Sequence, residues 1–198
     1  MSLIGQHDLS TSNNESLNKD EWKILSSEYL TKYNYFTARK DTCLTPQGKT
    51  IDDYYVVELD VTVCALGVTE NNEAILVKQY RHPIRQTIIE IPGGFVDKGE
   101  DPKKAMAREL LEETGYEFAD IEYLGEVAAN PGLLSNYTKL YLATGGRKVS
   151  DQDLDANEEI EVILVPVGRI KDMLLQNEIP QALHSCCVLY ALLKMKML

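Results

Sequence analysis

The stretch from Gly94 to Tyr116, GFVDKGEDPKKAMARELLEETGY, decides how this chain folds and where its chemistry lies. Asp101 and Pro102 form a helix start, because Asp accepts hydrogen bonds from free backbone N–H groups and proline fits the first helical position. Glycine at position 115 is typical of a helix stop. These signals predict a helix from Pro102 to Thr114, and four residues can supply its apolar face: Ala105, Ala107, Leu110 and Leu111.

The same helix carries closely spaced carboxylates. Glu109 lies three residues before Glu112 and four before Glu113, so all three share one face. Like charges at this spacing cost roughly 0.2–0.5 kcal/mol per pair. A hard divalent cation such as Mg²⁺ would reverse that cost, because it prefers oxygen ligands. The helix alone leaves open a second interpretation, a solvated acidic face whose basic partners are Lys103, Lys104 and Arg108.

Composition indicates an ordinary globular chain of 198 residues, with 44% hydrophobic and 26% charged residues. The formal net charge of −11 disfavours binding to nucleic acid or to an anionic membrane surface. An anionic small-molecule ligand would need local neutralisation, for which a bound divalent cation is the obvious candidate. Four cysteines without a CxxC pair predict reduced thiols rather than a disulfide or zinc site. No signal peptide or membrane span is recognised in the sequence. We therefore expect a cytoplasmic protein.

Patterning along the chain predicts three segments. Residues 1–20 are polar and expected to be disordered, residues 21–55 form an N-terminal β segment, and residues 56–198 form the main domain. β-rich runs such as VVELDVTVCALGV, AILVKQY and EVILVPV predict a sheet, with TENNE as a hairpin turn. Helices are predicted from about residue 168 to 177 and from 181 to 197. The fold class is therefore α+β, a largely mixed or antiparallel sheet with a few helices packed on it.

The complete pattern of the opening stretch resembles the Nudix box, GX5EX7REUXEEXGU, in which U is a bulky apolar residue. Every fixed position matches, and tyrosine occupies the last U position. The resemblance implies a Nudix-type α/β/α sandwich with an N-terminal antiparallel β extension. It also implies hydrolysis of a nucleoside diphosphate linked to another group, by in-line attack of water on phosphorus with Mg²⁺ as cofactor and Mn²⁺ able to substitute.

The resemblance carries roles to individual box residues. Glu109 and Glu113 match the positions that usually ligate the metal, and Glu112 matches a third ligand or a supporting catalytic carboxylate. The backbone carbonyl of Gly93 matches a further ligand. The remaining fixed positions match structural roles, namely Gly94, Glu100, Arg108 and Gly115.

Features outside the box resemble the ADP-ribose pyrophosphatase branch of the family. These are LVKQYRHPI and IIEIPGGFVDKGE before the box and NPGLLSNYT after it, with Pro131 at the branch's usual spacing. The resemblance implies that Arg81 contacts phosphate or ribose and that Glu90 lies near the pyrophosphate, although a strand glutamate paired with an arginine is an equal alternative. Trp22 and either Tyr54 or Tyr55 could stack on the base, or could simply pack.

The chain departs from this branch in the post-box loop. Many bacterial members carry a catalytic glutamate there, whereas this loop has Asn136 and no carboxylate. The segment DANEEIEV resembles a later loop that supplies the glutamate in other members, and Glu158 aligns best, followed by Glu159. Either could orient or deprotonate the attacking water. The alternative is an acidic turn before a strand. His184 is expected to have no catalytic role.

The leading interpretation is a Mg²⁺-dependent pyrophosphatase that converts ADP-ribose to AMP and ribose 5-phosphate. GDP-mannose or another nucleoside diphosphate sugar is the alternative substrate. A Nudix module that senses ADP-ribose without hydrolysing it is the alternative from another class, against which the intact box argues. The resemblance further implies a homodimer built through the N-terminal strands, each subunit contributing to the other's pocket.

Overall fold

The computed structural model describes residues 21–33 and 36–198, so the predicted disorder of residues 1–20 lies outside the described residues. Within them the chain forms eleven strands and three helices. The strands are β1 (Lys23–Tyr33), β2 (Phe36–Leu44), β3 (Thr50–Glu58), β4 (Thr62–Thr69), β5 (Glu73–Arg81), β6 (Gln86–Glu90), β7 (Gly93–Phe95), β8 (Tyr116–Glu117), β9 (Asp120–Val127), β10 (Thr138–Lys148) and β11 (Ile160–Pro166). The helices are α1 (Pro102–Thr114), α2 (Ile170–Leu175) and α3 (Ala182–Lys194).

The larger sheet has eight strands and is mixed, as predicted. Its main path runs β11-β5-β4-β10-β8, with β6 on β5, β7 on β4 and β9 on β10. β4 and β10 pair in parallel, and the other pairs are antiparallel. β7 pairs with β4 by placing Gly93 opposite Cys64 and Gly94 opposite Val63. This short strand brings the two glycines to the sheet position that faces α1.

Helices cover both faces of this sheet, which confirms the predicted α/β/α sandwich. On one face, α2 and α3 pack through Ile170 and Val188 onto Leu66 and Leu140. On the other face, the Met106 and Leu110 side chains of α1 join Val63, Ala65 and Tyr141. Burial of these apolar side chains is the main favourable contribution to stability.

The helix at the centre of the opening stretch has the predicted bounds. The Asp101 carboxylate accepts from the N–H groups of Lys103 and Lys104, both at 3.1 Å. The helix ends at Gly115, whose φ of 75° lies in the left-handed region that glycine favours. The predicted apolar face was wrong at Ala107, which is exposed. Helical periodicity places Met106 in the core instead, beside Ala105 and Leu110.

The two C-terminal helices are shorter than predicted. α2 is preceded by a 3₁₀ turn at Val167–Arg169, and α3 begins after Gln181, whose side chain accepts from the His184 N–H at 3.0 Å. Within the described part of the chain, no helix is both long enough and apolar enough to cross a membrane. All four cysteines are free thiols.

The first three strands form a separate antiparallel sheet in the order β1-β2-β3. Its last strand is tied to the loop before β10, because the Val57 N–H donates to the Leu133 carbonyl at 2.8 Å and Val57 O accepts from Ser135 N at 3.1 Å. β1 leaves several large apolar side chains exposed, among them Ile24, Leu25, Tyr29 and Leu30.

Candidate active site

The site begins where β7 meets α1. The Gly93 N–H donates to the Glu113 carboxylate at 3.0 Å. A Cβ on Gly94 would lie 2.4 Å from the carboxylate carbon of Glu109, and one on Gly93 would lie 2.3 Å from the Val63 carbonyl oxygen. Only glycine permits this approach, so the glycine pair of the sequence holds two carboxylates against the sheet.

Arg108 joins the loop before α1 to the helix itself. Its guanidinium binds Glu100 through Nε at 3.2 Å and Nη2 at 3.1 Å, and Nη2 also donates to the Phe95 carbonyl. On the helix, Nη1 donates to both Glu109 and Glu112 at 2.9 Å. One cation therefore offsets the repulsion of two helix carboxylates while it fixes the loop.

Glu113 is the most deeply placed carboxylate of the helix, with 6% of its surface exposed. Burial raises its pKa to about 8, the Gly93 N–H opposes the rise, and the charges of Glu109 and Glu158 add to it. Burial also raises the pKa of Glu109, against the effect of Arg108. Both side chains are thus carboxylates whose charged forms lack sufficient compensation from protein groups alone.

A cleft of about 560 Å³ lies over these carboxylates. Its walls come from β7 and the following loop, from α1 and from the loop before β11: Gly94, Phe95, Asp97, Arg108, Glu109, Glu112, Glu113, Asp153, Leu154, Asp155, Asn157 and Glu158. Glu158 therefore faces the helix carboxylates across the cleft. Glu159 is exposed and borders a different surface pocket, beside Lys78 and Tyr80.

The loop that carries Glu158 is fastened to the end of α1. Gln152 Nε2 donates to the Glu113 carbonyl at 2.6 Å and to the Ile160 carbonyl at 3.1 Å. The Asp153 N–H adds a bond to the Glu112 carbonyl at 2.9 Å. Sequence reasoning missed Gln152, because a single glutamine in an acidic loop carries no motif that distinguishes it.

Arg81 and Glu90 form a pair on the neighbouring strands β5 and β6. Arg81 Nε donates to Oε2 of Glu90 at 2.9 Å, and Arg81 Nη2 lies 2.8 Å from the same oxygen. Burial raises the pKa of Glu90, and Arg81 opposes that rise. The pairing alternative is therefore present in the structure. Neither side chain lines the cleft, although the Arg81 charge reaches Glu113 and lowers its pKa.

The remaining predicted substrate contacts lie apart from the cleft of this chain. Trp22 and Tyr54 pack edge to face with ring centroids 6.0 Å apart, and Tyr55 is exposed. Pro131 is exposed in the loop that is tied to β3. The structure thus groups these residues around the N-terminal sheet rather than with the helix carboxylates.

Asn136, which replaces the branch's loop glutamate, has a structural contact. Its Nδ2 donates to the Asp60 carbonyl at 3.1 Å. The side chain closes the loop onto the start of β4 and offers no base at this position.

The donor set fits a hard divalent cation by its chemistry. The cleft is lined by carboxylates and carbonyl groups, the oxygen ligands that Mg²⁺ prefers, with no histidine or cysteine among its lining residues. The raised pKa values of Glu109 and Glu113 show that protein groups alone stabilise their charged forms poorly, and a bound cation would favour those charged forms. Among the described residues, no three acidic, histidine or cysteine side chains already stand together as a metal cluster. Arg108 binds one carboxylate oxygen of Glu109 and one of Glu112, which leaves the second oxygen of each for a cation.

Family models match nearly all of the described chain. The model of the NUDIX domain matches residues 58–184. The model of the nucleoside diphosphate sugar hydrolase N-terminal domain matches residues 22–57. The second match covers the separate three-stranded sheet.

Individual proteins extend the comparison. The chain is 31% identical over 175 residues to the ADP-ribose pyrophosphatase of Bacillus subtilis (strain 168), covering 88% of this chain and 94% of that protein. It is 34% identical over 144 residues to the methanol dehydrogenase activator of Bacillus methanolicus, covering 72% of this chain and 77% of that protein. A crystal structure described as an ADP compounds hydrolase superposes with a TM-score of 0.78 at 19% identity, over 90% of this chain and 97% of the other, and shares the fold.

Proposed function

The chain belongs to the NUDIX family of hydrolases, and from this membership we propose that it cleaves the pyrophosphate of a nucleoside diphosphate sugar. ADP-ribose is the first candidate, giving AMP and ribose 5-phosphate. The observation that carries the proposal is the cleft in which Glu109, Glu112 and Glu113 face Glu158. The similarity to a protein named ADP-ribose pyrophosphatase over almost its full length supports this substrate class.

The helix carboxylates are proposed to hold the metal. Glu109 and Glu113, with Glu112 and the Gly93 carbonyl, would bind Mg²⁺, or Mn²⁺ in its place. Such a cation would polarise the pyrophosphate and acidify the attacking water when bound. Arg108, Glu100, Gly94 and Gly115 keep the helix, loop and sheet in the arrangement that presents these oxygens.

Glu158 is the proposed general base. Its position across the cleft suits a carboxylate that accepts the proton as water attacks phosphorus and the bridging P–O bond breaks. The leaving phosphate takes up the bond's electron pair. Glu159 is the second candidate, although its side chain points to a different pocket.

Substrate binding is proposed for Arg81, Glu90, Pro131, Trp22 and Tyr54. Arg81 would bind a phosphate through its guanidinium, whose geometry matches two phosphate oxygens. Trp22 and Tyr54 lie outside this chain's cleft, so base stacking by them would take place in the pocket of a second subunit.

The homodimer and the three-segment division belong to the same proposal. The segment 21–55 would dimerise through the apolar side chains that β1 exposes, while 56–198 carries the chemistry. A cytoplasmic location is proposed as well, because a reducing compartment keeps free thiols such as Cys43 and Cys64 unpaired.

Two alternatives are tested together with the leading proposal. GDP-mannose or another nucleoside diphosphate sugar would use the same carboxylates and differ only in base and sugar contacts. A sensor that binds ADP-ribose without turnover would not need the three helix carboxylates and Glu158 around one cleft, which favours catalysis.

The experiment is a turnover panel with Mg²⁺ on ADP-ribose, GDP-mannose, UDP-glucose, NADH and 8-oxo-dGTP, with products separated by chromatography. We expect AMP and ribose 5-phosphate from ADP-ribose. Preference for another nucleoside diphosphate sugar would change the substrate and keep the mechanism. Tight ADP-ribose binding without turnover of any compound would contradict the enzymatic proposal.

A further inference from the structure

A buried histidine lies beside Glu90, the partner of Arg81, and has no role in the proposed catalytic steps. His184, on α3, is buried, and its Nδ1 has no hydrogen-bond partner among the described residues. Nδ1 lies 3.8 Å from Oε1 of Glu90, beyond hydrogen-bond length. A buried polar atom without a partner is unusual in a folded protein and requires an explanation.

The contact is not an ion pair at neutral pH. Burial, followed by the charge of Arg81, lowers the pKa of His184 to about 3, so the imidazole is neutral. A neutral imidazole carries one N–H, and the tautomer with hydrogen on Nδ1 can donate to a carboxylate. His184 is therefore a donor held just out of reach of Glu90.

Glu90 lies between a partly exposed group and a buried one. Only 1% of its surface is exposed, and Arg81 binds its Oε2 twice, while His184 faces Oε1. The Arg81 side chain is 44% exposed, so its guanidinium can turn toward solvent. If it does so, a buried carboxylate loses both N–H donors, which is unfavourable unless another donor replaces them.

We propose that His184 is a positioning residue. It donates a hydrogen bond to Glu90 when Arg81 leaves Glu90 to bind a phosphate of the substrate. In the free protein Arg81 is bonded to Glu90, and its charge lowers the pKa of Glu113. When Arg81 engages an anionic phosphate, the His184 Nδ1–H closes on Oε1 and keeps the Glu90 carboxylate bonded. The inference rests on the proposed function of Arg81 as a phosphate ligand.

The first test requires no substrate, so it is independent of the proposed function. Full-length protein with ¹⁵N-labelled histidine is compared by NMR as wild type and as Arg81→Ala. Loss of the guanidinium should produce a downfield, slowly exchanging Nδ1–H signal from His184, because Glu90 is released to it. An unchanged His184 signal, or an Nδ1 without a proton, would overturn the proposal.

The second test separates positioning from stability. In His184→Leu, Arg81 cannot leave Glu90 without stranding a buried carboxylate, so KM for the best substrate of the panel should rise about tenfold with kcat little changed. His184→Gln, whose amide can donate, should restore most of the KM. Val188→Ala, a core change on the same helix, should lower the melting temperature without raising KM.

An unchanged KM in a folded His184→Leu protein would refute the role of His184. A rise that His184→Gln does not reverse would also count against it. If His184→Leu does not fold, the proposal is judged on the NMR comparison and on whether His184→Gln keeps a KM close to that of the wild type. If no compound is turned over, the proposed function fails while the NMR comparison retains its meaning.

Discussion

At the scale of single residues, each carboxylate on the acidic face of α1 has a hydrogen-bond donor that offsets part of its charge. Arg108 binds Glu109 and Glu112, and the Gly93 N–H binds Glu113. Glu113 nevertheless keeps a raised pKa, since one N–H does not offset burial. The same side chains that repel each other in the helix form the oxygen-rich floor of the cleft.

Trp22→Ala tests a residue that lies far from that floor. If the indole stacks on a base in a second subunit's pocket, KM should rise about tenfold or more while kcat changes less, since base–aromatic stacking contributes roughly 1–3 kcal/mol. Steady-state kinetics measures both constants. Tyr123→Ala, a change of an exposed aromatic on β9 and outside the N-terminal sheet, serves as control. An unchanged KM would show that Trp22 only packs against Tyr54 and does not contact the substrate.

Spacing was sufficient to predict the carboxylates of the helix, because residues three and four apart must share a helical face. It could not predict His184 or Gln152. Their contacts, with Glu90 and with the Glu113 and Ile160 carbonyls, join elements distant in sequence. Single residues acquire such partners only from the tertiary fold.

At the scale of elements, the end of α1 and the loop of Glu158 form one unit. The Gly115 carbonyl accepts from the N–H groups of Val149 and Ser150, at 2.9 and 3.2 Å. A Cβ on Gly115 would lie 2.2 Å from the Ser150 carbonyl oxygen. The helix stop read from the sequence therefore also sets the distance between the helix and the loop.

Gly115→Ala should lower the free energy of unfolding for two reasons. The φ of 75° strains alanine by roughly 1–2 kcal/mol, and the contact with Ser150 adds to this cost. Urea unfolding should show a loss larger than that of the matched change Gly48→Ala, where φ is 81° but nothing lies within 4 Å. Equal losses in the two variants would show that the helix and loop are not closely packed there.

Element types were predictable from local pattern, whereas some boundaries were not. Capping signals gave α1 its correct bounds because Asp101 and Gly115 act locally. The C-terminal helices were overextended, since apolar spacing continues beyond the last helical hydrogen bond. The burial of Met106 in place of Ala107 depends on how α1 is rotated against the sheet.

At the scale of the whole molecule, a sandwich with a buried core carries a second, thin sheet with apolar residues on its surface. Leu25 and Leu30 of β1 are both more than half exposed, at 54% and 53%. Exposed apolar patches on this scale indicate an interaction surface. The sequence predicted the strands, but their exposure follows from the way β1-β2-β3 stands apart from the larger sheet.

Leu30→Asp tests the proposed dimer. Light scattering after size exclusion should give a mass near twice 22.3 kDa for the wild type and near 22.3 kDa for the variant, because burying a carboxylate opposes association. Leu175→Asp, at a 75% exposed site on α2, should remain dimeric. A wild-type protein that elutes as a monomer at all concentrations would exclude the dimer.

If the carboxylates of α1 carry out hydrolysis through a bound metal, Glu113→Gln should remove most of the activity. The measurement is kcat with Mg²⁺ on the best substrate of the panel, beside wild type and the control Glu117→Gln, a charge change at an exposed position. We expect a loss of about a hundredfold or more for Glu113→Gln with the fold retained, and little change for Glu117→Gln. A Glu113→Gln protein that turns over at the wild-type rate would contradict this expectation.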